Sequence, residues 1–378
     1  MHPDRPRKKK AKTAGMDIPF LILTLLLLCV GLIMLFSASY VDAIYNTKGH
    51  DGAFYFKNQG MYALLGIVVM LVASRFNYHK LHYFALPLMV VSLLLLAAVI
   101  PFGVEHNGAT RWLKIGIEFQ PSEIVKFALI LCFASMITIW GPKRMRTFRY
   151  GILPFVAIIG VIALLLVKQP HLSATVIIGV TGIVMIFLGG ANLAWLISMG
   201  VAGVAGCVGL IFLLPHAMAR VKVWLDPFSD FRVDGWQGAQ SLMAIGSGGF
   251  WGLGLGQGRQ KHLFLPEPAN DFIFSVVCEE LGMVGAVLIM IVFAALIVRG
   301  FQIALRAPDR FGTLLVAGIT TQIAVQTIFN MGVVTGLLPV TGAALPFFSY
   351  GGTSLLMLLG EVGIILGVSR YIPAPEQG

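Results

Sequence analysis

Only 17 carboxylates and 27 basic side chains are spread over 378 residues, and the few at the edge of apolar stretches, or inside them, have the most chemistry to offer. Asp271 leads them. It lies in LPEPANDFIF, with polar loop before it and apolar helix after it. A carboxylate half withdrawn from water has its pKa raised toward that of a useful general base. The plainer alternative is a helix N-cap, for which Asp is a common choice. Glu267, four residues earlier, is a weaker candidate for the same work. Glu123 and Lys126 stand three apart in an apolar stretch, so they share a helix face and can pair. Charges within a membrane span are costly and face a partner or a cavity. The pair therefore reads either as an ion pair locking helices together or as part of a polar cavity. Glu279 and Glu280 are consecutive and cannot share a helix face, so one of them points toward protein. Glu361 has no obvious partner.

Other signals are weaker. The glycine run GSGGFWGLGLGQG (246–258) invites a phosphate-cradle reading. It never spells G-x-G-x-x-G, however, and no Walker lysine-serine pair follows it. It remains a loop whose backbone can approach a ligand closely. His79 and His82 are spaced for one helix face, but two ligands are too few for a zinc site. The four cysteines lie singly in or beside apolar stretches without a C-x-x-C spacing, so neither a metal site nor a disulfide framework is signalled.

The elements that must position these residues are membrane helices. Hydrophobic residues make up 57% of the chain and charged residues 12%, too few charges to coat a water-facing surface. Disorder, collagen and disulfide-stapled modules are excluded by the same composition. Since a spanning helix needs about 20 mostly apolar residues, ten spans are expected, near 18–39, 59–74, 82–100, 120–140, 151–167, 173–189, 193–214, 271–298, 311–334 and 351–369. The first is too long for a signal-peptide core and reads as an uncleaved helix. The expected fold is an all-α integral membrane protein with one large extracytoplasmic loop at about 215–270. Its organisation is a basic cytoplasmic tail (1–17), a single ten-helix domain (18–370) and a C-terminal cytoplasmic tail (371–378). Of the 27 basic residues, 16 then fall on the cytoplasmic side, 10 outside and Lys126 within a span, in keeping with the positive-inside rule. Six of them crowd the first twelve positions (Arg5, Arg7, Lys8, Lys9, Lys10, Lys12), an anchor for anionic lipid rather than for nucleic acid. Both termini are expected in the cytoplasm and the loops 101–122 and 216–271 outside. The second loop carries Asp226, Asp230, Asp234, Glu267 and Asp271. Ordered loops of such length are usually functional.

Five strings in order, GATRWL (108–113), QPSEIVK (120–126), LPEPANDFIF (265–274), EELGMVG (279–285) and GLLPVTGAALPFFSYGGTSLL (336–356), strongly resemble the SEDS proteins of bacterial cell-wall synthesis, the family of FtsW, RodA and SpoVE. The resemblance runs from the first span to Arg370, and VTGLLPVTG ahead of the SYGG turn is nearer the division and sporulation branch than RodA. One departure is visible: Gln169-Pro170-His171-Leu172-Ser173 stands where many members carry an Asp and a Gly after the Gln-Pro, so the role of that acid does not carry over. The resemblance implies a ten-helix glycosyltransferase of the bacterial cytoplasmic membrane that polymerises lipid II into glycan strands at the outer face. It also implies a class B penicillin-binding protein, a transpeptidase, as usual partner, together with other cell-wall or division-complex membrane proteins. By the same resemblance Asp271 matches the family's essential aspartate, Glu123 and Lys126 its ion pair, and Arg111 and Trp112 its arginine and tryptophan.

The chemistry suits those residues. A sugar on a diphosphate already has a good leaving group, so one general base suffices to deprotonate the acceptor hydroxyl, and attack opposite the diphosphate inverts the anomeric carbon; this is half of the two-carboxylate scheme of inverting glycosidases. Asp271 is the expected base. Arg111, Lys114 and Lys261 are expected to neutralise the diphosphate. A divalent cation, magnesium or manganese, could share that task, although no ligand cluster in the sequence demonstrates one. Two rivals stand beside the enzyme: a flippase or transporter of the same lipid precursor, and a non-catalytic scaffold of a division or sporulation complex. Essential polar groups near mid-membrane mark a transporter, and at the outer face a polymerase.

Overall fold

The computed structural model describes residues 15–47, 49–106, 109–213, 215–229 and 235–373. The tail residues Arg5, Arg7, Lys8, Lys9, Lys10 and Lys12 and the loop residues Asp230, Arg232 and Asp234 lie outside the described residues.

The chain is a bundle of helices. In order they are α1 (Ile18–Asn46), α2 (Phe54–Ala73), a 3-10 turn (Tyr78–Lys80) leading into α3 (Leu81–Phe102), α4 (Pro121–Met145), α5 (Phe148–Gly151), α6 (Leu153–Val167), α7 (Leu172–Leu188) and α8 (Leu193–Leu213). There follow α9 (Pro215–Leu225), α10 (Trp236–Gly248), α11 (Ile273–Arg306), α12 (Arg310–Val334) and α13 (Gly352–Ser369). Each of the ten apolar stretches coincides with a helix. Among the described residues, eight helical segments are long and apolar enough to cross a membrane, and α7 is a shorter apolar helix. Most side chains in the second half of α8 fall outside the described set.

Two regions depart from the expected picture. The loop 101–122 is ordered into a three-stranded antiparallel sheet of β1 (Val104–His106), β2 (Ala109–Ile115) and β3 (Ile117–Phe119). Val104 is opposite Trp112, and Leu113 is opposite Phe119. The tight reversal between β2 and β3 falls on Gly116 at φ 77°, a conformation that glycine enters freely. Segment 215–270 likewise contains α9 and α10 rather than irregular chain. Helix α2 begins five residues before the apolar stretch that announced it, because its polar first turns look inward: Tyr55 and Tyr62 line a cavity, and the buried Gln59 side chain donates to the Ser349 carbonyl (3.2 Å).

The core lies along α4 and α12, whose most apolar windows are 67% and 78% buried, against 22% for α2 and 28% for α11. The latter present their remaining apolar faces outward, as lipid-facing helices do. The start of α1 and the end of α13 meet at one end of the bundle, where the Asp17 backbone N–H donates to Ser369 Oγ (3.0 Å) and Arg299 Nη2 pairs with Asp17 (2.9 Å). The sheet β1–β3 belongs to the loop that joins α3 to α4.

Helix α11 breaks at Gly282 (φ 68°, ψ −171°). A break inside a span frees backbone groups that lipid cannot satisfy, and the glycine run supplies them. The N–H groups of Leu253 and Gly254 donate to the carbonyls of Glu279 and Glu280, both at 3.0 Å, while Met283 N–H reaches the Gly249 carbonyl at 2.9 Å. The two backbones approach so closely that a Cβ on Gly252 would stand 2.2 Å from the Glu280 carbonyl oxygen. The close approach anticipated for this run is therefore made to the protein's own helix. Glu279 and Glu280 are both buried, and both are held by this one hairpin, because the hairpin wraps the kink rather than lying along one helix face.

Candidate active site

A cavity of about 2190 Å³ opens between α2, α4, α7, α12 and α13 and is roofed by β2, α9, α10 and the turn before α11. Asp271 and Glu267 line it, with Arg111 and Trp112 from β2, and deeper in stand Glu123, Lys126 and Glu361.

The Asp271 turn is built by backbone and amide hydrogen bonds. The Glu267 carbonyl accepts from the N–H of Asn270 (3.1 Å) and Phe272 (3.4 Å), and Asn270 Nδ2 donates to the Glu267 carboxylate. Glu267 pays for its place with φ 50°, a left-handed conformation that costs a non-glycine residue about 1–3 kcal/mol. Asn330, buried on α12, donates to the carbonyls of Asp271 (2.8 Å) and Ala343 (2.5 Å). Ser349 Oγ donates to the Asn270 carbonyl (2.6 Å), and Tyr350 N–H to the Ala269 carbonyl (2.8 Å). The turn before α11 and the non-helical segment 335–351 are thus one hydrogen-bonded unit. Gly342, at φ 73°, completes it: a Cβ there would come within 2.9 Å of Asp271 Oδ2, so glycine leaves the carboxylate its room.

Asp271 does not cap α11. The cap position is Phe272, and no side chain makes the capping hydrogen bond. The Asp271 side chain is partly exposed, toward the cavity. Burial lifts its pKa to about 6, the Glu267 charge adds to the rise, and Arg111 opposes it. A carboxyl in that range is ionised at neutral pH yet basic enough to take a proton. Arg111 Nη2 donates to the Pro170 carbonyl (2.5 Å). Next to it His171, also buried in the cavity wall, is held down to about 3, first by burial and then by the charges of Arg111 and Lys126. It is a neutral imidazole whose Nε2 lies 2.7 Å from Gln120 Nε2.

Glu123 and Lys126 are paired as their spacing predicts, Oε1 to Nζ at 2.9 Å, and they also line the cavity. The two readings of this pair are therefore compatible. Ser354 donates to Glu123 (2.9 Å) and Lys126 to Gln326 Oε1 (3.1 Å). Glu361, unpartnered in the sequence, accepts from Gln322 Nε2 (3.0 Å). Both basic residues Lys114 and Lys261 stand apart from the cavity lining. Lys114 pairs across the strands with Glu118 (2.9 Å) and is exposed. Lys261 is buried against Glu280 (2.6 Å) and Ser37 (2.9 Å). Its charge is already matched by Glu280, apart from the cavity in which the diphosphate contacts are expected. Among the described residues no group of three or more His, Cys, Asp and Glu comes together as a metal cradle.

Sequence reasoning overlooked Gln322, Gln326 and Asn330. Their signal was present: they recur every four residues along a mainly apolar helix, which places them on one face. Gln322 and Gln326 line the cavity, and Asn330, one turn on, ties the Asp271 turn to segment 335–351.

The chain matches the family model described as cell cycle protein, that of FtsW, RodA and SpoVE, over residues 18–373. It is 43% identical to stage V sporulation protein E of Bacillus subtilis over 364 residues, covering 95% of this chain and 98% of that one. It is 41% identical to the probable peptidoglycan glycosyltransferase FtsW of Geobacter sulfurreducens, covering 94% and 95%. Among solved structures it is similar to a chain of a peptidoglycan synthase complex that coordinates polymerisation and crosslinking (TM-score 0.77, 28% identity, 94% and 98% covered). It is also similar to the rod shape determining protein RodA of Thermus thermophilus (TM-score 0.69, 27% identity, 96% and 99% covered). With the match spanning nearly every helix and the Asp271 turn, this multi-pass membrane protein belongs to the FtsW, RodA and SpoVE family.

Proposed function

We propose that the chain is a peptidoglycan polymerase that extends glycan strands from lipid II at the outer face of the bacterial cytoplasmic membrane, with both termini in the cytoplasm. The observation that carries this reading is the Asp271 carboxylate, set beside Glu267 and Arg111 at the mouth of a large cavity and raised to about 6. In the reaction Asp271 takes the proton of an acceptor sugar hydroxyl as its oxygen bonds the anomeric carbon of the donor. The bond from that carbon to the diphosphate breaks, the lipid diphosphate leaves with the electron pair, and the anomeric carbon inverts. Asp271 then returns the proton to water. Arg111 meets the diphosphate, and Trp112 offers an aromatic face to a sugar ring. A prenyl tail stays in lipid while its headgroup enters the cavity. Lys114 and Lys261 have no part in this scheme. The pair Glu123–Lys126 supports the cavity wall.

The partner supported best is a crosslinking transpeptidase of the class B penicillin-binding type, since a structurally similar chain works in a complex that joins polymerisation to crosslinking. One observation favours a second reading. The polar face of α12, with Glu361, carries the cavity into the interior of the bundle, as a path for moving a lipid headgroup would. Purified protein with lipid II in detergent separates the two, because flipping has no meaning there. Glycan strands are expected, and their absence from folded protein supplied with its transpeptidase would sink the polymerase reading.

A further inference from the structure

We infer that Glu279, Glu280, Lys261 and Ser37 form a latch that positions the Glu267–Asp271 turn for the reaction proposed above; the inference rests on that reading of Asp271. Glu280 Oε1 accepts from Lys261 Nζ (2.6 Å), Ser37 Oγ (2.7 Å) and Gly258 N–H (3.3 Å), and its Oε2 accepts from Gly256 N–H (3.1 Å). Glu279 Oε1 accepts from Arg259 N–H (2.8 Å), Gln260 N–H (3.2 Å) and Ser247 Oγ (3.4 Å). None of the four latch residues lines the cavity, so they reach Asp271 only through the chain.

That chain is a closed ring. It leaves the latch at Lys261, doubles back through the hydrogen bond from Leu265 N–H to the Gln260 carbonyl (2.8 Å), crosses the cavity mouth at Glu267 and Asp271, and re-enters α11. Two turns later α11 presents Glu279 and Glu280 to the point where the ring began. Opening the ring at the latch restores conformational freedom to the segment that holds Asp271. The composition of the latch also speaks for positioning. Of the two buried carboxylates only Glu280 meets an ammonium, that of Lys261, and apolar side chains of similar size would replace such a buried pair without loss of packing. What apolar side chains would not replace is the set of directional contacts to four successive or near-successive backbone N–H groups of one loop. Ser37 adds α1 to the same knot.

The test is the acid limb of the rate of glycan polymerisation by purified full-length protein with lipid II in detergent. The charged groups acting on Asp271 are Glu267 from its own turn and Arg111 from β2. A loosened turn admits water to Asp271 and carries Glu267 away, and both move the limb to lower pH, outweighing the smaller opposite effect of parting Asp271 from Arg111. Glu279→Gln is expected to fold, and Lys261→Met to fold with a lowered melting temperature because it strands the buried Glu280; both are expected to lower kcat about tenfold or more with little change in KM, and to shift the limb downward. The buried α6 variant Ile162→Ala serves as a stability control: it lowers the melting temperature and keeps the wild-type limb. Latch variants that fold and keep the wild-type kcat and limb overturn the inference, as do variants that lose thermal stability like the control with no shift of the limb. Should both charge variants fail to fold, Ser37→Ala leaves every charge paired, and its limb decides in the same way. Asp271→Asn is run beside them. If it polymerises at the wild-type rate, the base reading and the latch fall together; if it is inactive while the latch variants are unshifted, the latch alone falls.

Discussion

Two sets of carboxylates lie within fourteen residues of each other, and they are treated in opposite ways. At the cavity mouth, Glu267 and Asp271 line the same cavity, repel one another and have Arg111 as the opposing charge on Asp271. At the kink of α11, Glu279 and Glu280 are fully buried, yet nearly every oxygen lone pair is met by a peptide N–H, a hydroxyl or Lys261. Burial alone thus does not mark a reactive acid. What marks it is burial without full compensation, which raises the cost of the charged form and leaves a carboxylate ready to accept a proton. Full compensation turns the same group into a tether.

The largest effect that would sharpen this contrast is expected at the mouth. Asp271→Asn keeps size and loses the base, so polymerisation should fall by roughly 10²–10⁴-fold. A carboxyl whose folded pKa is raised costs stability above that pKa, so the variant should melt no lower than wild type at neutral pH. A wild-type rate in the purified variant would move the search for the base to Glu267. At the kink the expectation is reversed. Glu280→Ala leaves Lys261 buried without its partner, a loss of about 3–5 kcal/mol, and should show as low yield or a lowered melting temperature; a well-folded Glu280→Ala variant would break the contrast.

The pH profile offers a finer test. Because Asp271 must be ionised to act, the rate should rise with pH through about 6 and level off above it. Glu267→Gln removes a neighbouring negative charge and should displace the limb to lower pH, whereas an unmoved limb would show that the two carboxylates do not interact. The smallest effect is expected at Lys114. Its pair with Glu118 is exposed and worth at most about 1 kcal/mol, and it stands apart from the cavity lining. Lys114→Met should therefore leave polymerisation near wild type, and a large loss would return this residue to the diphosphate site.

Much of the molecule was determined by sequence alone. The apolar stretches became helices, eight of them among the described residues long and apolar enough to cross a membrane, because lipid leaves a backbone no other way to satisfy its N–H and C=O groups. Glu123 and Lys126 paired because three residues along a helix bring side chains to one face. Asp271 stood out because its position between polar loop and apolar helix is itself a sequence property. The sheet within 104–119 was hidden by the expectation of a loop, and the polar face of α12 by attention to charged rather than neutral polar side chains within the spans. The fates of Lys261, Glu279 and Glu280 were decided only by tertiary structure. Whether a charge is free or matched depends on which groups from distant parts of the chain surround it, and Ser37 lies more than two hundred residues from both Lys261 and Glu280. No local pattern encodes that meeting. The kink at Gly282 and the hairpin that wraps it place those partners together, because a broken helix in lipid must find its missing hydrogen bonds in another segment of the fold.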